Sequence, residues 1–440
     1  MDFYDIKLGD CLSMIENGAT IKQQKGSKGL PITRIETLSN NRFNRDRLGY
    51  ADIFDANKYS HYILDDKDIL MSHINSKAFL GRSVLYKRHG NEQIIHGMNV
   101  LRIKTKKDVL DQEYAYYYFQ TSFFKKNIHN IRKDAVNQSS INISDIKDII
   151  IQIPSLKDQK NIVTVLSNID CKIALNRQIN DNLEAMARQL YDYWFVQFDF
   201  PNENGKPYKS NGGKMVWNEK LKRNIPNKWN NGILSNIANI TMGQSPDGSS
   251  YNENGNGTIF YQGSTDFGIR FPSIRKYTTA PSRFAKKGDI LMSVRAPVGA
   301  MNIANNDCCI GRGLTSLSSK VGSTTHLYYI LDDLRMKFEN INSAGTTFGA
   351  LTKDGLYGLP VVVPSVDIIK QFEDICKPIF DKQMCIGEEI NALTKQRDEL
   401  LPLLMNGQAT VNYHLSFGIL FVYLFLYSQN MKYIWQQKIY

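Results

Sequence analysis

The sequence is poor in what a metalloenzyme or a disulfide-stapled protein is built from. Of 440 residues, six are cysteine and seven are histidine. Cys11, Cys171, Cys308, Cys309, Cys376 and Cys385 form no C-x-x-C pair and have no His-x-x-x-His companion. Structural zinc needs closely grouped ligands, so these are expected as reduced, small apolar residues and no metal site is expected. Adjacent Cys308 and Cys309 in a strand would face opposite sides, a poor chelate. No H-E-x-x-H and no G-x-x-x-x-G-K-[ST] loop occurs, which excludes a zincin centre and a P-loop nucleotide site. Also missing are an Asp/Asn-Pro-Pro-aromatic tetrapeptide and a nearby Gly-rich cofactor loop of an adenine methyltransferase. Pro246-Asp247 and Glu253 hint at a nuclease carboxylate cluster, but Asn254 and Gly255 follow where a lysine is needed. No catalytic residue is therefore expected. The longest apolar run, "LSFGILFVYLFLY" at 415–427, has 13 residues, too few to cross a bilayer as a helix. "MDFYDIKLGD" has no apolar core of a signal peptide, so a cytoplasmic protein without a membrane partner is expected.

What the chain has in excess is positive charge. Lysine and arginine total 54 against 43 aspartate and glutamate, a formal +11. That balance suits a polyanion such as nucleic acid, although a merely basic soluble protein has it too. Hydrophobic content of 42% and charged content of 22% describe an ordinary folded protein, long enough for two or three cores.

The chain also repeats itself. "KDILMS" at 67–72 recurs as "GDILMS" at 288–293, and "IQIPS" at 151–155 as "VVVPS" at 361–365. "EYAYYYFQTSFFKKNI" at 113–128 matches "THLYYILDDLRMKFENI" at 325–341 as a helix-like aromatic stretch. "IKLGDCLSMIENG" at 6–18 resembles "GILSNIANITMG" at 232–243. A unit of half the chain, used twice, is a duplicated domain pair and not a solenoid. Each unit opens with short strand-like runs broken by Gly, Pro and Asn, then closes with one long helix. Ser155 and Asp158 stand at capping-box spacing before the first helix, with Pro201 beyond it. Ser365 opens the second, with Gly407 after it.

The helices carry the clearest period. Ile162, Leu166, Ile169, Ile173, Asn176, Asn180, Leu183, Ala187, Leu190 and Trp194 are spaced alternately by four and three. So are Phe372, Cys376, Ile379, Gln383, Ile386, Ile390, Leu393, Arg397, Leu400 and Leu404. The differences 372 − 162, 404 − 194 and 364 − 154 are all 210, so the two helices align without an insertion. A seam this narrow predicts helix against helix; a helix that only covered its own β domain would show a broader apolar face. Polar seam residues set register and partner choice, and each helical residue adds about 1.5 Å to a rigid spacer.

The expected architecture is α+β: two β-rich domains, each followed by a long helix, the helices pairing as a coiled coil. The expected boundaries are 1–154 and 228–364 for the domains, 155–200 and 365–408 for the helices, 201–227 for a linker and 409–440 for an atypical apolar tail. The polar, basic, turn-prone segments are candidate DNA contacts, since Arg and Lys bind phosphates while Arg, Gln and Asn pair with purine edges. They hold Lys22, Gln24, Lys25, Arg42, Arg45, Lys77 and Arg82 in the first domain. The second domain holds Gln244, Ser245, Arg270, Arg275, Lys276, Arg295, Arg312 and Thr346. For Arg295 and Arg312 a structural salt bridge is an equal alternative. Two diverged readers on one chain can recognise two different half-sites, which a symmetric dimer cannot.

In combination, "MGQSPDGSSYNENGNG", "FYQGSTDFG", "GDILMSVRAPVGAMNIANNDCCIGRG", "LTKDGLYGLPVVVPS" and "LLPLLMNG" resemble the specificity subunit of type I restriction-modification enzymes, over about residues 3–408. "AMARQLYDYWFVQFDFP" is again similar to that family. The resemblance implies two target-recognition domains reading a split, asymmetric site in double-stranded DNA. It implies that the two helices pack antiparallel and separate those domains. It implies a subunit without catalysis or cofactor of its own: docked methyltransferase subunits use S-adenosylmethionine, and restriction subunits, translocating nucleases reached through the complex, use ATP and Mg2+. The alternatives are a stand-alone or anti-restriction module that occupies methyltransferase subunits without reading DNA, and an enzyme with a degenerate nuclease centre. Two departures stand out. "KDILMSHINSKAFLGRS" lacks the "RAPVG" turn. The apolar segment after "LLPLLMNGQATVN", where such subunits usually end soon, reads as an altered reading-frame end or a tail packed on the helices.

Overall fold

The computed structural model describes all residues except 25, 40–41, 135–137, 335–337, 339–349, 417–418 and 427–440. Two compact units form, one from Met1–Lys172 with Leu393–Tyr440, the other from Ile173–Ala392.

The two units repeat one sheet. In the first, strands Leu12–Asn17, Val100–Thr105, Ile69–Ser72 and Ser83–Leu85 lie side by side in that order, all antiparallel. In the second, Ala238–Met242, Leu314–Ser319, Ile290–Ser293 and Met301–Ile303 take the same order. Even the register is shared. Ser72 faces Val100 and Ile69 faces Ile103; Ser293 faces Leu314 and Ile290 faces Leu317. The reason lies in the "ILMS" run, whose four residues are buried in both units. A strand covered on both faces is a continuous apolar run and takes the centre of its sheet. The chain enters it through a left-handed residue, Lys67 (φ 66°) in one unit and Gly288 (φ 93°) in the other. The next residue, Asp68 or Asp289, caps that turn by accepting the amide of Asp65 or Lys286.

A second pairing leads into each long helix. Tyr4–Lys7 pairs with Ile150–Ile153, and Asn230–Ile233 with Pro360–Val363. The helices follow at Leu156–Tyr191 and Val366–Met405. Ser155 and Asp158 close the expected capping box: the Ser155 hydroxyl donates to Asp158 at 2.8 Å and accepts its amide at 3.3 Å. Gly407 ends the second helix at φ 75°.

Every seam position is buried or half-buried, but the seam meets two kinds of neighbour. In the first unit, Ile162 and Leu166 share a core with Tyr114, Phe119, Leu400 and Leu404, with Ile169 packed against it. In the second, Ala187, Trp194, Phe372 and Cys376 join the β-domain core, with Leu190 and Ile379 against it. Ile173, Ile386 and Ile390 are buried outside those cores, where the polar seam residues also pair. Asn176 donates to Glu389 at 2.8 Å, and Gln383 to the Asn180 carbonyl at 3.4 Å. Partner numbers fall as the first helix ascends, so the segments run antiparallel in this unit. In the first unit Arg397 donates to Asp170 at 3.0 Å, and the Tyr117 hydroxyl donates to the other Asp170 oxygen at 2.7 Å. Leu183 and Leu393 remain half-buried. The seam is thus helix against helix for part of its length and β-domain core for the rest.

The segment 201–227 is not a slack linker. Met215–Asn218 and Arg223–Pro226 form a hairpin, and Phe200 stacks between Tyr208 (4.8 Å) and Trp229 (4.7 Å). The tail begins as a hairpin of Ala409–Ser416 with Ile419–Leu426. No described helix is long and apolar enough to cross a membrane.

Buried histidines give each unit an acid-sensitive point. Burial pushes His96 down to about 4 in the first unit and His326 down to about 3 in the second. An unfolded chain protonates these rings near pH 6.5 while the folded chain does not. Stability is therefore full above that pH and falls below it, by about 1.4 kcal/mol per pH unit for each ring. Urea denaturation from pH 7.5 to 5 should show this slope, and His326→Phe should flatten the contribution of the second unit. A stability independent of pH over that range refutes the assignment.

Candidate nucleic-acid interface

The shared register superposes one feature of the two sheets residue for residue. Gly18 follows the first edge strand and Gly243 its counterpart. A Cβ on either would stand 2.2 Å from a carbonyl oxygen, that of Gly97 or Gly311. Such an approach is open only to glycine. The next amides repeat the match: Ala19 donates to His96 at 2.8 Å, and Gln244 to Ile310 at 3.0 Å. The residue after that touches the tip of the facing turn in both units. The Thr20 hydroxyl lies 3.5 Å from the Met98 sulfur, and the Ser245 oxygen accepts the Arg312 amide at 3.2 Å. Two more segments close the hub. His96 donates to the Tyr62 carbonyl at 2.7 Å, as Ile310 does to Arg283 at 2.9 Å. Parallel bridges join Ile32 to Ile95 and Phe260 to Cys309, which places Arg34 opposite Gln262 in the repeat.

Each unit therefore brings four chain segments together through backbone contacts and presents their side chains to solvent. The frame is one; the chemistry is two. The first hub offers Thr20, Arg34, half-buried Tyr62 and Met98; the equivalent positions of the second are half-buried Ser245, Gln262, Arg283 and Arg312, with Gln244 exposed where the first has buried Ala19. Arg283 and Arg312 are exposed, and neither has an ion-pair partner among the described residues. The same holds for Arg295, one turn away, where Val294 donates to the Gly313 carbonyl at 3.0 Å. The "RAPVG" turn that holds Arg295 is absent from the first unit, where Ile74–Asn75 starts a small strand instead.

The other candidates divide sharply. Lys22, Gln24 and Arg42 are exposed. Arg45 is held by Glu92, with Nε–Oε2 at 3.0 Å, over the Phe43 ring, and pulls the Glu92 carboxyl down to about 2. Lys77 pairs with Asp134 at 2.9 Å. Arg82 donates to the Leu38 carbonyl at 3.2 Å and lies over Phe79. Arg275 donates through Nε to Asp266 at 2.9 Å, and Lys276 lies 5.8 Å from the Tyr251 ring centre. Arg270 requires a correction: it is only 9% exposed. It donates to Glu184 and Gln383, both at 2.8 Å, with its guanidinium 4.3 Å from the Phe380 ring centre. Its charge holds the loop to the helices and faces no solvent. Lys25 and Thr346 lie outside the described residues.

Sequence reasoning missed Thr20, Arg34, Tyr62, Met98, Gln262 and Arg283. Only the strand register points to them, and it emerges once the two "ILMS" strands are aligned. A polar depression of about 420 Å³ in the first unit, lined by His61, Asp65, Arg102 and Lys104, has its charges engaged with one another: Asp65 bridges Arg102 and Lys104, and His61 meets Glu16. The cysteines are free; Cys308 and Cys309 are fully buried in a central strand, and burial pushes the Cys308 thiol up to about 12.

A duplicated α+β domain that shows different side chains on one frame, each copy leading into a long helix, defines a class of paired recognition modules. The chain belongs to the family of the type I restriction modification DNA specificity domain, whose model matches residues 2–185 and 226–395, and it is a specificity subunit of that kind. It is 36% identical over 414 residues to the putative type I restriction enzyme MjaX specificity subunit of Methanocaldococcus jannaschii, covering 92% of this chain and 93% of the relative. The MjaIX specificity subunit of the same organism is 27% identical over 321 residues, covering 69% and 71%. The crystal structure of the S subunit from M. genitalium shares the fold at a TM-score of 0.55 and 17% identity, covering 92% of this chain and 96% of that one.

Proposed function

We propose that this subunit selects a split, asymmetric DNA site for a type I restriction-modification complex, one half-site per hub, and docks the methyltransferase subunits that modify it. The observation that carries this is the pair of hubs: one backbone frame with Ala19, Thr20, Arg34, Tyr62 and Met98 in one unit and Gln244, Ser245, Gln262, Arg283 and Arg312 in the other. Identical frames with different donors select different base edges. Catalysis and cofactors belong to the partners in this scheme: S-adenosylmethionine to the methyltransferase subunits, ATP and Mg2+ to the restriction subunits. The work is cytoplasmic, where host DNA lies.

The test is methylome sequencing of a host carrying only this system, with its expression verified. A split adenine motif with two unlike halves is expected. Exchanging residues 228–364 for another recognition domain should rewrite one half and leave the other. The absence of any split motif refutes the proposal.

A further inference from the structure

We infer that the hub tip is a specificity-determining position, and that Arg312 makes one guanine obligatory in the half-site read by the second unit. The inference rests on the DNA-reading function proposed above and goes beyond it to one residue and one base.

Four observations support it. First, Arg312 stands between Gly311 and Gly313 on a turn held by backbone bonds on every side. Gly311 donates to Tyr261 at 2.8 Å, Leu314 to Gly311 at 2.9 Å, Val294 to Gly313 at 3.0 Å and Gly243 to Leu314 at 2.9 Å. The base of the side chain is fixed before any ligand arrives, so little ordering remains to be done on binding. Second, Arg312 is exposed and no described carboxylate engages it, whereas Arg188, Arg270 and Arg275 of the same unit are all ion-paired. Third, its exposed hub neighbours are Gln244, Gln262 and Arg283, donor-bearing side chains with no acid among them. Fourth, the equivalent tip in the first unit is Met98, 42% exposed and without a hydrogen-bond donor.

A guanidinium on a rigid tip matches the paired acceptors O6 and N7 of guanine in the major groove, and no other base offers that pair. A thioether cannot make either bond and contacts a thymine methyl or nothing. The same position in the repeat therefore demands guanine in one half-site and does not in the other.

The experiment uses the assembled methyltransferase complex on duplexes carrying its own site. Each guanine of the second half-site is replaced in turn by 7-deazaguanine, which keeps base pairing and removes N7. At one position the methylation rate of the wild type is expected to fall, and full replacement of that base pair should cost about 5- to 150-fold, the span of one bidentate contact. Arg312→Met should lose that dependence and accept other bases there, with the first half-site unchanged; Arg312→Lys should retain part of it. A role confined to folding would slow methylation of every duplex alike. A wild type indifferent to every N7, a second half-site without guanine, or an Arg312→Met complex with the same guanine requirement each overturns the inference and leaves the split site standing. The absence of any split site overturns the inference and the proposed function together.

Discussion

Arg102→Met is expected to cost the first unit about 3–5 kcal/mol at pH 7, because buried Asp68 loses its close partner and keeps only the longer contact with Lys104 at 3.6 Å. Arg102 is 2% exposed and reaches Asp68, also 2% exposed, at 2.7 Å and Asp65 at 3.0 Å. Asp68 cannot turn to water, because it also caps the turn before the central strand. Burial already raises its pKa, against the pull of Arg102. Without the guanidinium the carboxyl rises further, and the folded state then holds a proton that the unfolded state releases. The deficit of the variant relative to wild type should therefore shrink as pH falls from 7 toward 5, the loss from His96 being common to both proteins and cancelling in the difference. Asp68→Asn in the Arg102→Met background should restore much of the loss at pH 7. Urea denaturation at the two pH values reads all three outcomes, and a variant as stable as wild type at pH 7 refutes the account. The second unit supplies the control. There the equivalent aspartate, Asp289, accepts the Ser316 hydroxyl at 2.7 Å, so Ser316→Ala should cost only about 1.5–3 kcal/mol, a hydrogen bond to a charged group.

Gly243→Val is expected to abolish recognition by the second hub. A Cβ there meets the Gly311 carbonyl oxygen at 2.2 Å and that of Ile310 at 2.8 Å. Both obstacles are backbone, so no rotamer change relieves them and the turn carrying Arg312 must move away. The loss of stability is that of overpacking, about 1–3 kcal/mol. The loss of function is larger, because Gln244 and the turn carrying Arg312 approach each other at this contact, and Arg283 is joined to the same strand through Ile310. Methylation by the assembled complex should become indifferent to the second half-site while the protein remains folded by circular dichroism. Gly18→Val should do the same to the first half-site. Retention of both half-sites by both variants refutes the hub.

The two substitutions expose how unevenly the molecule is written in its sequence. The repeated "DILMS", the paired "IQIPS" and "VVVPS" and the helical seam are one-dimensional patterns. They placed the central strands, the strand before each helix and both helix starts. Local pattern showed less of 201–227, whose turn-forming residues read as a linker: it holds a hairpin, and Phe200 stacks on Tyr208 within it and on Trp229 just beyond it. Nor does a four-three spacing reveal which stretch of the seam meets a helix and which meets the core of a β domain.

The site was the least legible part. Arg270 and Arg312 look alike in the sequence, each in a basic, glycine-bearing loop. One is buried against Glu184, Gln383 and Phe380; the other stands free on the tip of its turn. Composition and spacing can declare that a residue carries a charge, but whether that charge meets solvent depends on which distant segment folds over it. By itself the sequence determined the duplication, the α+β class, the two helices and the family, because these follow from periodicity and repeated local motifs. Only the tertiary structure decided which basic residues remain available to DNA. Gly18 meets Gly97, and Gly243 meets Gly311, through strand register, a property of paired chain segments that neither segment carries alone.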